Sequence, residues 1–323
     1  MLTTRLTDVL NIEHPVMLAG MGGVSYHLLT AAVSEAGGFG CLGASTMSTE
    51  ELVAEIDGVR ELTDRPFGVD LLTAIPGQLE AQTERAIAGG MSLFVAGLGV
   101  PTEVVRLCHD SNVLVASMCG KVRHAVNAVD AGCDIVIAQG TEAGGHTGRI
   151  ATLPLVPQVV DAVGERVPVV AAGGIVDGRG LAAALTLGAD GVWVGTRFIA
   201  TPESRTWAGY EEALVDSAED ATVISRAFTG KTLRAVRNAW TDHHDKHPEE
   251  IRRFPEQLEY STSKGAFPLL GPADQPIDPD VACYPAGQGL GAIDEVVPAG
   301  DIVRRMVADA EETLRRSASF IVT

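Results

Sequence analysis

The chain has 323 residues, enough to bury a large core, and its 46% hydrophobic content with a mean hydropathy of +0.17 places it among compact globular proteins. A net charge of −18 and a pI near 4.8 disfavour nucleic acid or an anionic membrane as a partner, since both reward dense positive patches. No apolar stretch is long enough to span a bilayer, the first residues lack a basic-then-apolar signal pattern, and five scattered cysteines without a Cys-x-x-Cys pair fit a reducing compartment, so a cytoplasmic protein is expected.

In chain order, short β-rich runs alternate with helical segments. Strands are predicted at 15–19, 39–42, 67–71, 93–96, 113–118, 134–138, 167–171 and 191–194. Helices are predicted between them at 26–35, 49–62, 77–88, 102–109, 121–131, 154–163 and 177–187. The helix at 49–62 opens with Ser48 or Thr49 before Glu50 and Glu51, acidic residues that suit a helix N-terminus. Strict strand-helix alternation predicts the α/β class and a (β/α)8 TIM barrel. After the eighth strand the pattern changes. Residues 201–286 carry Asp, Glu, His and Pro clusters and a loop-like stretch from Gly271 to Pro276, which predicts a mainly helical insertion between strand 8 and helix 8 that caps the barrel mouth. The barrel itself would then comprise residues 1–200 and 287–323, with its last helix at 299–317. An insertion on that side is where a lid and substrate specificity reside.

Chemistry concentrates at three glycine turns. Gly144-Gly145-His146-Thr147-Gly148 follows the sixth strand, where glycines let backbone N–H groups approach a ligand and His146 titrates nearest neutral pH. The runs Val169-Val170-Ala171-Ala172-Gly173-Gly174-Ile175 and Gly191-Val192-Trp193-Val194-Gly195-Thr196-Arg197 end the seventh and eighth strands. Between them a helix starts after Asp177, a suitable N-cap, and ends at Gly188. Loops after strands 7 and 8 of such barrels commonly bind phosphate through backbone N–H groups. Cys119 ends the fifth strand and reads as a small buried residue in preference to a nucleophile. His243, His244 and His247 lie among Asp242, Asp245, Lys246 and Glu249, a solvated helix surface in preference to a metal site, and no metal is expected.

The stretch from Ala138 to Gly148, with Ala171 to Ile175 and Gly191 to Phe198, closely resembles the FMN-dependent nitronate monooxygenases, formerly 2-nitropropane dioxygenases. The related flavin-dependent enoyl-acyl-carrier-protein reductases share the fold and much of the pattern, and Ala31 to Gly40 and Ala286-Gly287-Gln288-Gly289 resemble both groups. The resemblance spans nearly the whole chain. It implies an FMN site in which Ala19, Gly20 and Met21 lie against the isoalloxazine ring, with Gly22 and Gly23 allowing close backbone approach. Gln139, Gly144, Gly145 and Ala172 would contact the cofactor, and Gly173, Gly174, Gly195 and Thr196 would hold its phosphate. Lys121 would sit near the pyrimidine end of the ring, where reduction places negative charge. His146 would be the catalytic residue, abstracting a proton α to a nitro group or hydrogen-bonding the bound nitronate.

Two positions depart from that pattern. Many nitronate-oxidising relatives have proline before the strand 1 methionine and asparagine at the end of strand 3, where this chain has Gly20 and Asp70. A charged Asp70 would repel a nitronate, whereas one tied to backbone or buried neutral would not. An inosinate-dehydrogenase-like barrel is disfavoured because no glycine-serine-cysteine loop follows strand 6. Three readings follow from the resemblance: oxidation of alkyl nitronates or nitroalkanes by dioxygen first, NAD(P)H-dependent reduction of an enoyl thioester second, and an idle flavin-binding protein third. The partners expected are a small-molecule substrate and dioxygen, with use of NAD(P)H and a homodimer left open.

Overall fold

Apolar side chains along each predicted strand fall on alternating faces, one set for a barrel interior and one for covering helices. In the computed structural model, which describes residues 2–72, 79–97, 99–271 and 276–321, the chain runs through α1 (Arg5–Leu10), β1 (Val16–Leu18), α2 (His27–Glu35), β2 (Gly40–Gly43), α3 (Thr49–Leu62), β3 (Phe67–Leu72), α4 (Leu79–Ala88), β4 (Leu93–Gly97) and α5 (Thr102–Asp110). It continues through β5 (Leu114–Cys119), α6 (Val122–Asp130), β6 (Ile135–Gln139), the two-residue β7 (Gly145–His146), α7 (Thr152–Val163), β8 (Val169–Ala172), α8 (Gly178–Thr186), β9 (Gly191–Val194) and the short α9 (Thr196–Ile199). Eight of these strands form one sheet in the order β1-β9-β8-β6-β5-β4-β3-β2. All its pairings are parallel, and a bridge between Met17 and Phe39 closes β1 onto β2. The fold is the (β/α)8 barrel.

The period-2 pattern separates two cores. Met17, Phe39, Cys41, Val95, Ile137 and Trp193 fill the barrel interior, while Val16, Leu18, Leu42, Val69, Val136 and Val192 pack outward against the helices. Helix α1, which the strand-helix alternation did not announce, places Leu6 and Leu10 in the interior cluster. The expected caps form: Ser48 accepts the Glu51 N–H at the start of α3, and Asp177 accepts from the amides of Arg179 and Gly180 at the start of α8. The predicted helix start at Gly77 and the loop positions 272–275 lie outside the described residues.

Beyond α9 come α10 (Tyr210–Val215), β10 (Thr222–Ser225), β11 (Leu233–Val236), α11 (Ala239–Lys246) and α12 (Glu256–Ser263), before α13 (Ala299–Ala318) packs against α8 and α2. The stretch read as mainly helical thus also contains an antiparallel hairpin, turned at Thr229-Gly230-Lys231, with Gly230 at a φ of 77°. The hairpin has its own small core, in which Phe228 and Leu233 pack with Ala266, Phe267 and Cys283. Its inner strand β11 pairs antiparallel with β7, setting Leu233 opposite His146 and Arg234 opposite Gly145.

Candidate active site

Loops at the C-terminal ends of the barrel strands and the segment around the hairpin enclose a cavity of about 490 Å³, in the range of small-molecule sites. Of the residues expected at a site, Ala19, Gly20, Met21, Gly22, Gln139, Gly144, Gly145, His146, Ala172, Gly173, Gly174, Gly195 and Thr196 all line it. Lys121 does not. It is exposed at the N-cap of α6, and Met118 is the residue that β5 contributes to the lining.

His146 is held by residues far apart in sequence. Its Nε2 lies 3.0 Å from the Thr229 hydroxyl on the hairpin turn, and the Gln139 side-chain amide donates to the His146 carbonyl at 3.0 Å. Nδ1 has no hydrogen-bond partner among the described residues, which leaves it to a ligand. The ring is open to the cavity yet walled by protein, so desolvation lowers its pKa, and the nearby Lys231 ammonium lowers it further. A neutral imidazole facing a cavity can accept a proton or a hydrogen bond at neutral pH.

The glycine turns present backbone rather than side chains. Gly173 has φ 108°, and a Cβ there would lie 2.7 Å from the Thr152 hydroxyl, so only glycine fits without displacement. Thr152 braces the turn, its hydroxyl lying 3.0 Å from the Gly173 carbonyl and 2.9 Å from the Glu142 carboxylate, which also accepts the Thr152 N–H. Among the described residues, the N–H groups of Gly173, Gly174 and Gly195 donate to no other backbone group. Unpaired amides converging on a cavity are the donor set that a phosphate takes.

The two departures from the family pattern touch one another. Asp70 lies on the inward face of β3, is buried at 5% exposure and lines the cavity. A Cβ on Gly20 would stand 2.2 Å from the Asp70 Cβ, so a larger residue at that place cannot coexist with this aspartate in this backbone. Burial raises the Asp70 pKa to about 8, so its carboxyl is mostly neutral at pH 7 and does not repel an anion.

Sequence reasoning missed Thr229 and Lys231, both cavity-lining. The available signal was a Gly-containing turn between the β-branched runs Thr222–Ser225 and Leu233–Val236, a hairpin signature masked by the helical composition around it. Cys119 is buried and its thiol is pushed up to about 11, which makes it a packing residue rather than a nucleophile. His243 and His247 are exposed and pair with Glu250 and Glu249, while His244 is buried with Nδ1 at 2.8 Å from the Trp240 carbonyl. No helix among the described residues is long and apolar enough to cross a membrane.

Comparison with known proteins places this site in context. A family profile described as nitronate monooxygenase matches residues 3–89 and 78–309. A probable nitronate monooxygenase of Staphylococcus aureus is 32% identical over 306 residues, covering 80% of this chain and 85% of its own. FabK from Thermotoga maritima superposes with a TM-score of 0.90 at 34% identity, covering 99% of this chain and 100% of its own. A nitroalkane oxidase from Streptomyces ansochromogenes superposes with a TM-score of 0.85 at 31% identity, covering 97% of this chain and 99% of its own.

Proposed function

The chain belongs to the nitronate monooxygenase family and is an oxidoreductase, and from that premise we propose that it binds FMN in the barrel-mouth cavity and oxidises alkyl nitronates or nitroalkanes with dioxygen. The observation that carries this reading is that neutral His146 lines the same cavity as the glycine turns Gly173-Gly174 and Gly195-Thr196. Those turns suit a single terminal phosphate, and no Gly-x-Gly-x-x-Gly dinucleotide turn follows β1. When bound, a flavin supplies an electron acceptor that an imidazole and a carboxyl cannot replace.

The chain's own residues do the rest. Backbone N–H groups of Gly173, Gly174 and Gly195 hold the phosphate. Nδ1 of His146 accepts the proton α to a nitro group, or donates to the oxygen of a preformed nitronate when it carries the proton itself. Thr229 and Gln139 fix the ring and the strand that carries it. Asp70, held neutral, leaves an anionic substrate unopposed.

A second reading, NAD(P)H-dependent reduction of an enoyl thioester, draws support from the close superposition on FabK. The two differ in how electrons enter. Anaerobic mixing with propyl nitronate is expected to bleach the flavin absorption faster than NADH or NADPH does. Rapid bleaching by a nicotinamide, reoxidation by an enoyl-CoA and no response to nitronates would assign the reductase activity instead.

A further inference from the structure

The cavity is polarised. Among the described residues lining it, Lys231 is the one permanent cation, Asp70 the one carboxyl, and His146 the one imidazole. Lys231 is carried on the hairpin turn, two residues from Thr229, and its backbone N–H donates to the Thr229 hydroxyl at 3.2 Å. That hydroxyl is the one that meets His146, so one turn delivers both the brace and the charge. The Lys231 ammonium stands 3.9 Å from the centroid of the Phe254 ring and forms no ion pair among the described residues. An ammonium that rests on an aromatic face beside a cavity and has no anion partner is placed to receive one from a ligand. In a protein of net charge −18 it places a positive charge at the cavity wall.

We propose that Lys231 is the anion anchor of this cavity and sets its preference for substrates that carry a negative charge on the cap side. This rests on the reading of the cavity as a substrate site. Lys231 acts on His146 as well, as a positioning residue. Its charge adds to desolvation in lowering the imidazole's affinity for a proton, and an anionic ligand that neutralises that charge raises the affinity again as the substrate arrives. Two other charged side chains of the hairpin are engaged elsewhere. Arg234 donates to the Thr141 carbonyl and the Thr222 hydroxyl, and Arg226 donates to the Gly230 carbonyl.

The test uses the purified protein with whatever cofactor it carries and a pair of inert, nearly isosteric probes, butyrate and butyramide, titrated calorimetrically at neutral pH. Wild type is expected to bind butyrate the more tightly. Lys231→Met should lose that preference through a roughly 10- to 100-fold weaker butyrate affinity, with butyramide little changed, and Lys231→Arg should retain it. The same variants carry a second readout. The His146 ring resonance, identified by its loss in His146→Asn, should titrate at higher pH in Lys231→Met, because a positive neighbour has been removed. Equal preference for the two probes in wild type and Lys231→Met, or an unmoved His146 titration, overturns the proposal. Because calorimetry reports anion binding whether or not a flavin is bound or reduced by nitronates, failure of the anchor is distinguishable from failure of the nitronate oxidation reading.

Discussion

Asp70→Asn offers a direct test of the electrostatics of the barrel interior. Burial raises the Asp70 pKa from 3.8 to about 8, so the folded chain keeps a proton that the unfolded chain releases. Stability from this group is therefore fully present below about pH 4 and is lost as pH rises through about 8. A shift of about 4 pK units at ~1.4 kcal/mol each sets the total loss on the order of 6 kcal/mol, with some two-thirds to three-quarters of it incurred by pH 7. That figure is an upper bound, since structural relaxation around a buried charge offsets part of its desolvation penalty. Asparagine keeps the shape and cannot ionise. Urea unfolding of both proteins at a series of pH values from 5 to 9, followed by tryptophan fluorescence and far-UV circular dichroism, should show wild type losing stability relative to the variant by ~1.4 kcal/mol per pH unit at most. Parallel pH dependences in the two proteins would falsify the assignment of a neutral buried carboxyl.

Gly20→Ala should cost about 1–3 kcal/mol by overpacking against Asp70, and most of that cost should vanish in an Asp70→Gly background, where the clashing Cβ is absent. A double-mutant cycle by chemical denaturation measures the coupling, and strict additivity would show that the two residues do not touch. His146→Asn should keep the fold and any bound flavin while turnover of a neutral nitroalkane falls roughly 10²- to 10⁴-fold. Oxidation of the preformed nitronate at near wild-type rate in that variant identifies His146 as the base, and loss of both identifies it as an anion-binding group. Gly174→Asp introduces a side chain and a negative charge at a φ of 73° beside the unpaired amides, so protein purified from this variant should be colourless. A yellow Gly174→Asp protein with a wild-type flavin content would remove that turn from the phosphate site.

The barrel was legible from the chain because its signals are local. Runs such as Ile135–Gln139 and Val169–Ala172, each followed by glycine and then by a helix, repeat often enough that a closed parallel sheet satisfies their pattern of burial. The placement of the Gly144–His146 turn and of the glycine turns after β8 and β9 at the cavity was legible for the same reason: a glycine run after a strand records its own backbone requirement. What surrounds His146 was not legible. Thr229 lies 83 residues downstream, and the hairpin that carries it and Lys231 reads as part of a helical region until β11 pairs with β7. Lys121 and Lys231 look alike as letters, and only the path of the chain turns one to solvent and the other to the cavity. Asp70 is the sharpest case. The sequence alone established that a carboxyl lies on the third strand, but its protonation and its contact with Gly20 depend on the burial that folding imposes, because the cost of a charge is set by the surroundings that exclude water from it.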